Sequence, residues 1–409
     1  LKRILVLGGY GSFGARIYEL LSRDRRFEVL ASGRDLERAR AFCARRPELG
    51  LVPVQADRNR GFSETLSRLR PWLVIDAAGP FQGAGYEVPR CCLEAGCHYL
   101  DIADARGFVE GFEQLDAMAK AAGVTLISGA SSVPALSSAV VNQLAESLDE
   151  VGLVESAISA SNRATVGRSV MDAILSYVGQ PVVLRQGGRA IAARGWRAIR
   201  RQTFAIAGGP TLEGRLVALC DVPDLGLMSD RLRGRPLVVF RAGAELAVQN
   251  LALWVLSWPV QWGWIRSLRP WGGVIQRLSG LTRAVGGDRS AMSVSITGLR
   301  GGVVVERRWT LLADAGRGPY TPCLAAPLLA GALANGELTA GAFPAVGLLP
   351  LEAFAPEFAA MEFKTETAEV RHDQPLYRQV MALEFERLPP AVLRMHEVAG
   401  AAVAEGRAR

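Results

Sequence analysis

Short apolar runs separated by helical patterns set the rhythm of the first hundred residues. Residues 3–7 (RILVL) form the first run, and a helical pattern follows at Ala15, Ile17, Tyr18, Leu20 and Leu21. Further runs at 28–32, 51–55 and 73–77, and one ending near residue 101, repeat the alternation. Runs apolar on both faces with helices between them predict a parallel sheet covered on both sides. From Val151 the texture changes. Strand-like runs at 153–160, 198–207, 237–240, 292–298 and 303–312 are divided by turn-rich stretches, which predicts a mostly antiparallel sheet with helices. The expected fold class is α/β: a Rossmann-like parallel-sheet domain over 1–130, then an α+β substrate and dimerisation domain over 131–365. Residues 366–409 read as an added extension.

Charge changes this picture little. The chain of 409 residues carries 47 basic and 40 acidic side chains, net +7. Its only lysines are Lys2, Lys120 and Lys364, and the arginines are scattered with no run of five basic residues, so nucleic acid is not an expected partner. Six cysteines do not make a disulfide scaffold, and Leu1–Leu7 runs straight into a strand with no signal-peptide layout. A reducing cytoplasm is the expected compartment. A start at Leu1 rather than Met leaves a trimmed chain open.

The candidate chemistry begins where the first strand ends. Gly8 and then Gly9-Tyr10-Gly11-Ser12-Phe13-Gly14 give G-x-G-x-x-G between a strand and a helix. Gly9 is expected to allow the turn, Gly11 to let backbone approach a pyrophosphate, and Gly14 to let the helix pack on the strand. The second strand ends in Ser32-Gly33-Arg34 rather than in an acid. A carboxylate would repel a ribose 2′-phosphate, whereas Ser and Arg can donate to it, so NADP is the expected cofactor. Asp35 is expected to cap the next helix. Asp57 could reach an adenine amino group, or be a solvated turn residue. Ala78, Gly79, Pro80 and Phe81 supply the small residues that a nicotinamide ribose needs at a strand end.

Several catalytic schemes are absent: no Tyr stands four residues before a lysine, no G-x-S-x-G or G-K-[ST] occurs, and Cys91, Cys92, Cys97 and His98 lack zinc spacing. The remaining candidates for proton transfer are His98, Tyr99, Asp101 and Asp104, with Tyr99 or His98 as donor and Asp101 tuning it. The alternative is that Tyr99 packs under the sheet and Asp101 caps a turn.

Together GGYGSFG, ASGRD, VIDAAGPF (74–81) and EAGCHYLDIADA (94–105) resemble the saccharopine dehydrogenase-like NADP-binding family. The resemblance continues through SGASSVPALSSAVVN (128–142), DVPDL (221–225) and GPYTPCLAAPLL (318–329), to about residue 365. It implies a Rossmann-like domain joined to an α+β domain, an NADP(H) site, and often a homodimer. It does not imply saccharopine as substrate, since similar reductases act on lipid-linked or polyketide chains. Asp104 departs from the Gly-Glu that relatives often carry there. Leu376-Tyr377, Leu388-Pro389-Pro390 and His396 resemble the opening of a bacterial domain fused behind such reductases.

Trp254, Trp258 and Trp262 recur at helical spacing, and Trp264 and Trp271 follow. Three readings stay open: buried or dimer core, wall of an apolar pocket, or membrane-surface patch. The last ranks lowest because no Arg or Lys lies between Leu246 and Ile265, and the three helical rings are expected to be mostly buried. The leading functional expectation is an NADP(H)-dependent oxidoreductase reducing a C=O, C=N or C=C bond in an apolar or lipid-like small molecule. The alternatives are a non-catalytic NADP-binding scaffold and a lipid-surface interaction protein.

Overall fold

The computed structural model describes residues 1–163, 167–372 and Pro389. Strands β1 (Lys2–Leu7), β2 (Phe27–Gly33), β3 (Val52–Gln55), β4 (Leu73–Asp76), β5 (His98–Asp101) and β6 (Thr125–Ser128) come first. Next come β7 (Glu150–Ala160), β8 (Pro181–Gln186), β9 (Arg189–Arg194), β10 (Arg200–Ala205) and β11 (Thr211–Leu219). Then follow β12 (Leu237–Ala244), β13 (Ser290–Arg300), β14 (Val303–Ala313), β15 (Gly341–Pro344) and β16 (Lys364–His372).

The first sheet runs β15-β6-β5-β4-β1-β2-β3, with every pair parallel. This is the Rossmann-like arrangement. Its strand order reverses between β1 and β4, and the crevice of such a sheet opens at the carboxyl ends of these strands. Because side chains alternate along β1, Ile4 and Val6 enter a core shared with the second domain, while Leu5 and Leu7 enter a separate core on the opposite face. Both faces are therefore apolar, and the strand reads as an unbroken run.

The second sheet runs β10-β11-β12-β7-β13-β14-β16. Its pairs are antiparallel except β12 with β7, which is parallel. A hairpin, β8–β9, stands apart and turns at Gly187-Gly188, both with positive φ. Two connections cross the expected boundaries. β15 returns to the first sheet, and β16 carries 366–372 into the second sheet rather than into an extension. The rest of 366–409, including Leu376, Tyr377 and His396, lies outside the described residues.

The tryptophan segment differs from expectation. Trp254 and Trp258 are half-buried, with the Arg197 guanidinium 5.3 and 3.7 Å from their ring centres, and Trp262 is exposed. No helix among the described residues is long and apolar enough to cross a membrane.

Candidate functional site

The turn after β1 divides its labour among four glycines. Gly8, not Gly9, takes the left-handed conformation, with φ +73°, and a Cβ there would lie 2.9 Å from the Ala77–Ala78 backbone. At Gly9 a Cβ would overlap the Tyr18 ring, whose hydroxyl accepts the Ser32 N–H at 2.9 Å. A Cβ at Gly14 would fall 2.5 Å from the Gly8 carbonyl oxygen, so helix Gly14–Leu21 can approach the strand only with glycine there. Gly11 is different. It is exposed, and the one atom near a Cβ there would be the Gly8 oxygen at 3.0 Å, so the rest of that space faces a cleft.

This cleft has a volume of about 550 Å³ and runs over Gly8, Gly9, Tyr10 and Gly11 to the ends of β2 and β3. Ser32, Gly33, Arg34, Asp57, Ala78 and Gly79 also line it. Ser32 needs a correction. Its side chain is buried and donates to the Val6 carbonyl at 2.7 Å, so its proton is unavailable to a phosphate. Arg34 and Arg38, both exposed at the cleft, are the cations available there. Asp35 caps the helix between them, accepting the N–H groups of Glu37 at 2.9 Å and Arg38 at 3.2 Å. The Asp57 carboxylate accepts the Asn59 N–H at 3.0 Å, an Asx turn at the cleft edge.

Sequence reasoning missed Arg38, Arg58, Asn59 and Ser169, all of which line the cleft. Arg58 donates to the Ala78 carbonyl at 2.7 Å and pairs with buried Asp76 at 3.1 Å, so it fixes the loop after β4 from beneath. Burial raises the Asp76 pKa, and the Arg58 charge opposes that shift.

A second cavity, of about 620 Å³, lies between the first domain and the face of the second sheet. Ser12, Phe13, Gly79, Pro80 and Phe81 form its first-domain wall. Helices Arg168–Tyr177, Ala247–Gln261 and Gly272–Leu281 form much of the rest with Met171, Ile174, Leu253, Leu256 and Ile275. The cleft and the cavity share Ala77, Gly79 and Ser169, and the Ser169 hydroxyl donates to the Gly79 carbonyl at 2.8 Å.

Three expected proton-transfer residues do not reach either space. His98 opens β5 instead of closing it. It pairs with Leu73, lies 5.3 Å from the Trp72 ring, and its Nδ1 accepts the Thr125 N–H at 3.0 Å. Burial and then Lys2 hold its pKa down. Tyr99 is fully buried on the face away from the second domain, its ring stacked on Phe112 at 6.0 Å. Asp101 is also fully buried, and one oxygen accepts from Ala103 N at 2.9 Å, Gly129 N at 2.8 Å and Ser128 Oγ at 3.0 Å. It ties β5 to β6. Burial pushes its pKa up to about 7.

Asp104, three residues beyond β5, does line the apolar cavity. Its carboxylate accepts from Gln82 Nε2 at 3.0 Å, and enclosure by the cavity walls raises its pKa. Gln82 Oε1 is buried and has no hydrogen-bond partner. Tyr177 and Asp221 line the same region, both with pKa values raised by burial, and Arg106 reaches across to Asp221 at 3.3 Å. Among the described residues, no cluster of His, Cys, Asp or Glu has the arrangement of a metal site.

Residues 4–127 match the family model of the saccharopine dehydrogenase NADP binding domain. No curated protein matches the sequence. Among solved structures, the chain is similar to apo saccharopine dehydrogenase (L-Glu forming) from Saccharomyces cerevisiae, with a TM-score of 0.63 and 11% identity over 90% of this chain and 100% of that one. It is also similar to amine dehydrogenase from Mycobacterium smegmatis, with a TM-score of 0.45 and 14% identity over 85% and 96% of the two chains. The yeast likeness establishes a common fold.

Proposed function

We propose, from the match of residues 4–127 to the saccharopine dehydrogenase NADP binding domain model, that this chain is an NADP(H)-dependent oxidoreductase reducing a C=O, C=N or C=C bond in an apolar, lipid-like small molecule. The observation that carries this reading is the junction at Ala77, Gly79 and Ser169, where the dinucleotide-sized cleft meets a large apolar cavity containing a few convergent polar groups. The glycine turn fits a dinucleotide, since backbone at Gly11 is open to the cleft and a helix N-terminus follows it. When bound, the nicotinamide supplies the hydride.

The protein's own residues do the rest. The apolar walls exclude water and hold the substrate chain. Asp104, whose enclosure disfavours the carboxylate form, is placed to donate a proton to the atom that gains negative charge. Gln82 fixes Asp104 through its amide N–H and presents its buried oxygen as an acceptor for a substrate N–H or O–H. NADPH consumption with long-chain ketones, imines and enones, with products identified by mass, tests the assignment. Turnover is expected with at least one class. Asp104→Asn should lower kcat by roughly a hundredfold or more while leaving NADPH affinity unchanged. NADPH binding with no turnover across the panel would instead favour a cofactor-binding scaffold, a reading supported by the burial of Tyr99 and Asp101 away from the crevice.

Cofactor choice rests on Arg34 and Arg38. A charge-assisted hydrogen bond to a 2′-phosphate contributes about 1.5–3 kcal/mol. The double substitution Arg34→Ala/Arg38→Ala should therefore weaken NADPH binding by on the order of a hundredfold and barely change NADH binding. Parallel titrations check this, and an equal loss for both cofactors would remove the phosphate from the argument.

A further inference from the structure

Helix Ala247–Gln261 is built inside out. Its buried positions are Asn250, Ser257 and Val260, two of them polar. Asn250 makes paired hydrogen bonds with the Ala244 backbone, at 2.9 and 2.8 Å, and the Ser257 hydroxyl donates to the Trp254 carbonyl at 2.6 Å. Polar side chains are thus satisfied inside, while Val248, Leu251 and Val255 of the same helix face out. In helix Gly272–Leu281 the buried position is Gly272. Across the pair and its connection, Val255, Trp262, Trp264, Trp271, Leu278 and Leu281 are each more than half exposed. The Trp262 and Trp264 rings touch, with centres 4.9 Å apart, and this concentration of exposed large apolar side chains in one short segment marks an interaction site.

Charge identifies the occupant. From Leu246 through Gly287 there is no Asp or Glu, whereas Arg266, Arg269, Arg277 and Arg283 are all present and all exposed. A two-fold contact between copies would set this patch against itself, arginine facing arginine with no acid in either segment. We propose that the helical pair docks on an anionic phospholipid bilayer. The tryptophans would sit at headgroup level, the arginines on lipid phosphates, and the apolar side chains in the acyl boundary. Arg266 and Arg269 lie in the connection, Arg277 in the second helix and Arg283 just past its end, and together they supply the basic edge that the first helix lacks. Neither helix crosses the bilayer. The same helices line the apolar cavity through Leu253, Leu256 and Ile275, and Leu278 belongs to both surfaces. A membrane-borne substrate therefore has only the thickness of this pair to pass.

The docking stands independently of the cofactor reading, because vesicle binding needs no NADPH. The full chain should co-sediment with phosphatidylcholine vesicles containing phosphatidylglycerol, with a blue shift in tryptophan emission, and only weakly with pure phosphatidylcholine. Arg266→Glu/Arg269→Glu should weaken binding to the anionic vesicles by more than about tenfold. Trp264→Glu/Leu281→Glu should reduce binding to both, with unchanged thermal melts and circular dichroism showing that these surface variants fold. Absence of co-sedimentation, or variants that bind like the parent, overturns the proposal. So does a dimer that ignores vesicles and is dissolved by the same substitutions.

Discussion

Gly11→Val should leave the first domain folded and lower NADPH affinity by more than about a hundredfold. The space beyond Gly11 is ligand space: the nearest atom to a Cβ is the Gly8 oxygen at 3.0 Å, a contact that a shift of a few tenths of an ångström relieves. Valine methyl groups would then stand where a pyrophosphate must approach the backbone. Losing two hydrogen bonds to a charged group costs about 3 kcal/mol or more, which corresponds to that factor. Gly14→Val is the contrasting variant. Its Cβ would meet the Gly8 oxygen at 2.5 Å and the Gly9 Cα at 2.6 Å, overlaps with two backbone atoms that a shift of a few tenths of an ångström does not relieve, so this variant should lose thermal stability as well as binding. Thermal melts and NADPH titrations of the pair separate the two roles. Normal binding by a folded Gly11→Val protein would put the cofactor elsewhere.

Acidification from pH 8 to pH 5 should stabilise the protein, contrary to the usual behaviour of carboxylates. In the unfolded chain Asp101 and Asp224 ionise near about 4. In the native protein burial pushes both up to about 7, and the neighbouring Asp76 charge adds to the effect on Asp101. Asp224 is fully enclosed, neither of its oxygens has a hydrogen-bond partner of good geometry, and the Ser137 hydroxyl gives its charge the main side-chain relief. Between these pH values the native state holds protons that the unfolded state has released. The stabilisation is therefore complete below about pH 4 and is lost as pH rises through 7. Each group contributes on the order of a few kcal/mol. Denaturant midpoints measured across this range should fall with pH, and Asp224→Asn should flatten the curve and be the more stable protein at pH 8. Asp101→Asn should flatten it too, because its amide oxygen can still accept from Ala103, Gly129 and Ser128. If either variant leaves the slope unchanged, that carboxyl is not the source.

The parts of this molecule legible in the sequence are those set by local pattern. β1, the glycine turn and helix Gly14–Leu21 are contiguous, so apolar periodicity and three glycines reveal them together. Asp35 as a cap is equally local. The errors came from direction and face. His98 and Asp104 belong to one short segment, but a four-residue strand carries its first residue away from the crevice and delivers the residue beyond its end into it. Tyr99 and Leu100 point to opposite faces, and which face the second domain covers depends on residues far along the chain. Arg38 could have been found, since it stands one helical turn after Arg34 and follows the Asp35 cap. Arg58 could not, because its partner Asp76 lies on another strand. The tryptophan helix misled because apolar periodicity shows that a helix has an apolar face, not whether that face looks inward.

Strand β15 bears on how the protein is made. Thr125 of β6 pairs with Gly341 of β15, so the first sheet waits for its edge until most of the chain has left the ribosome. During that interval β6 presents bare N–H and C=O groups, a template for pairing with another nascent chain. A fragment ending at residue 130 would keep that edge permanently and should aggregate on expression. Dissecting the two domains therefore requires a circular permutant that places residues 341–344 beside β6, not a stop codon between them.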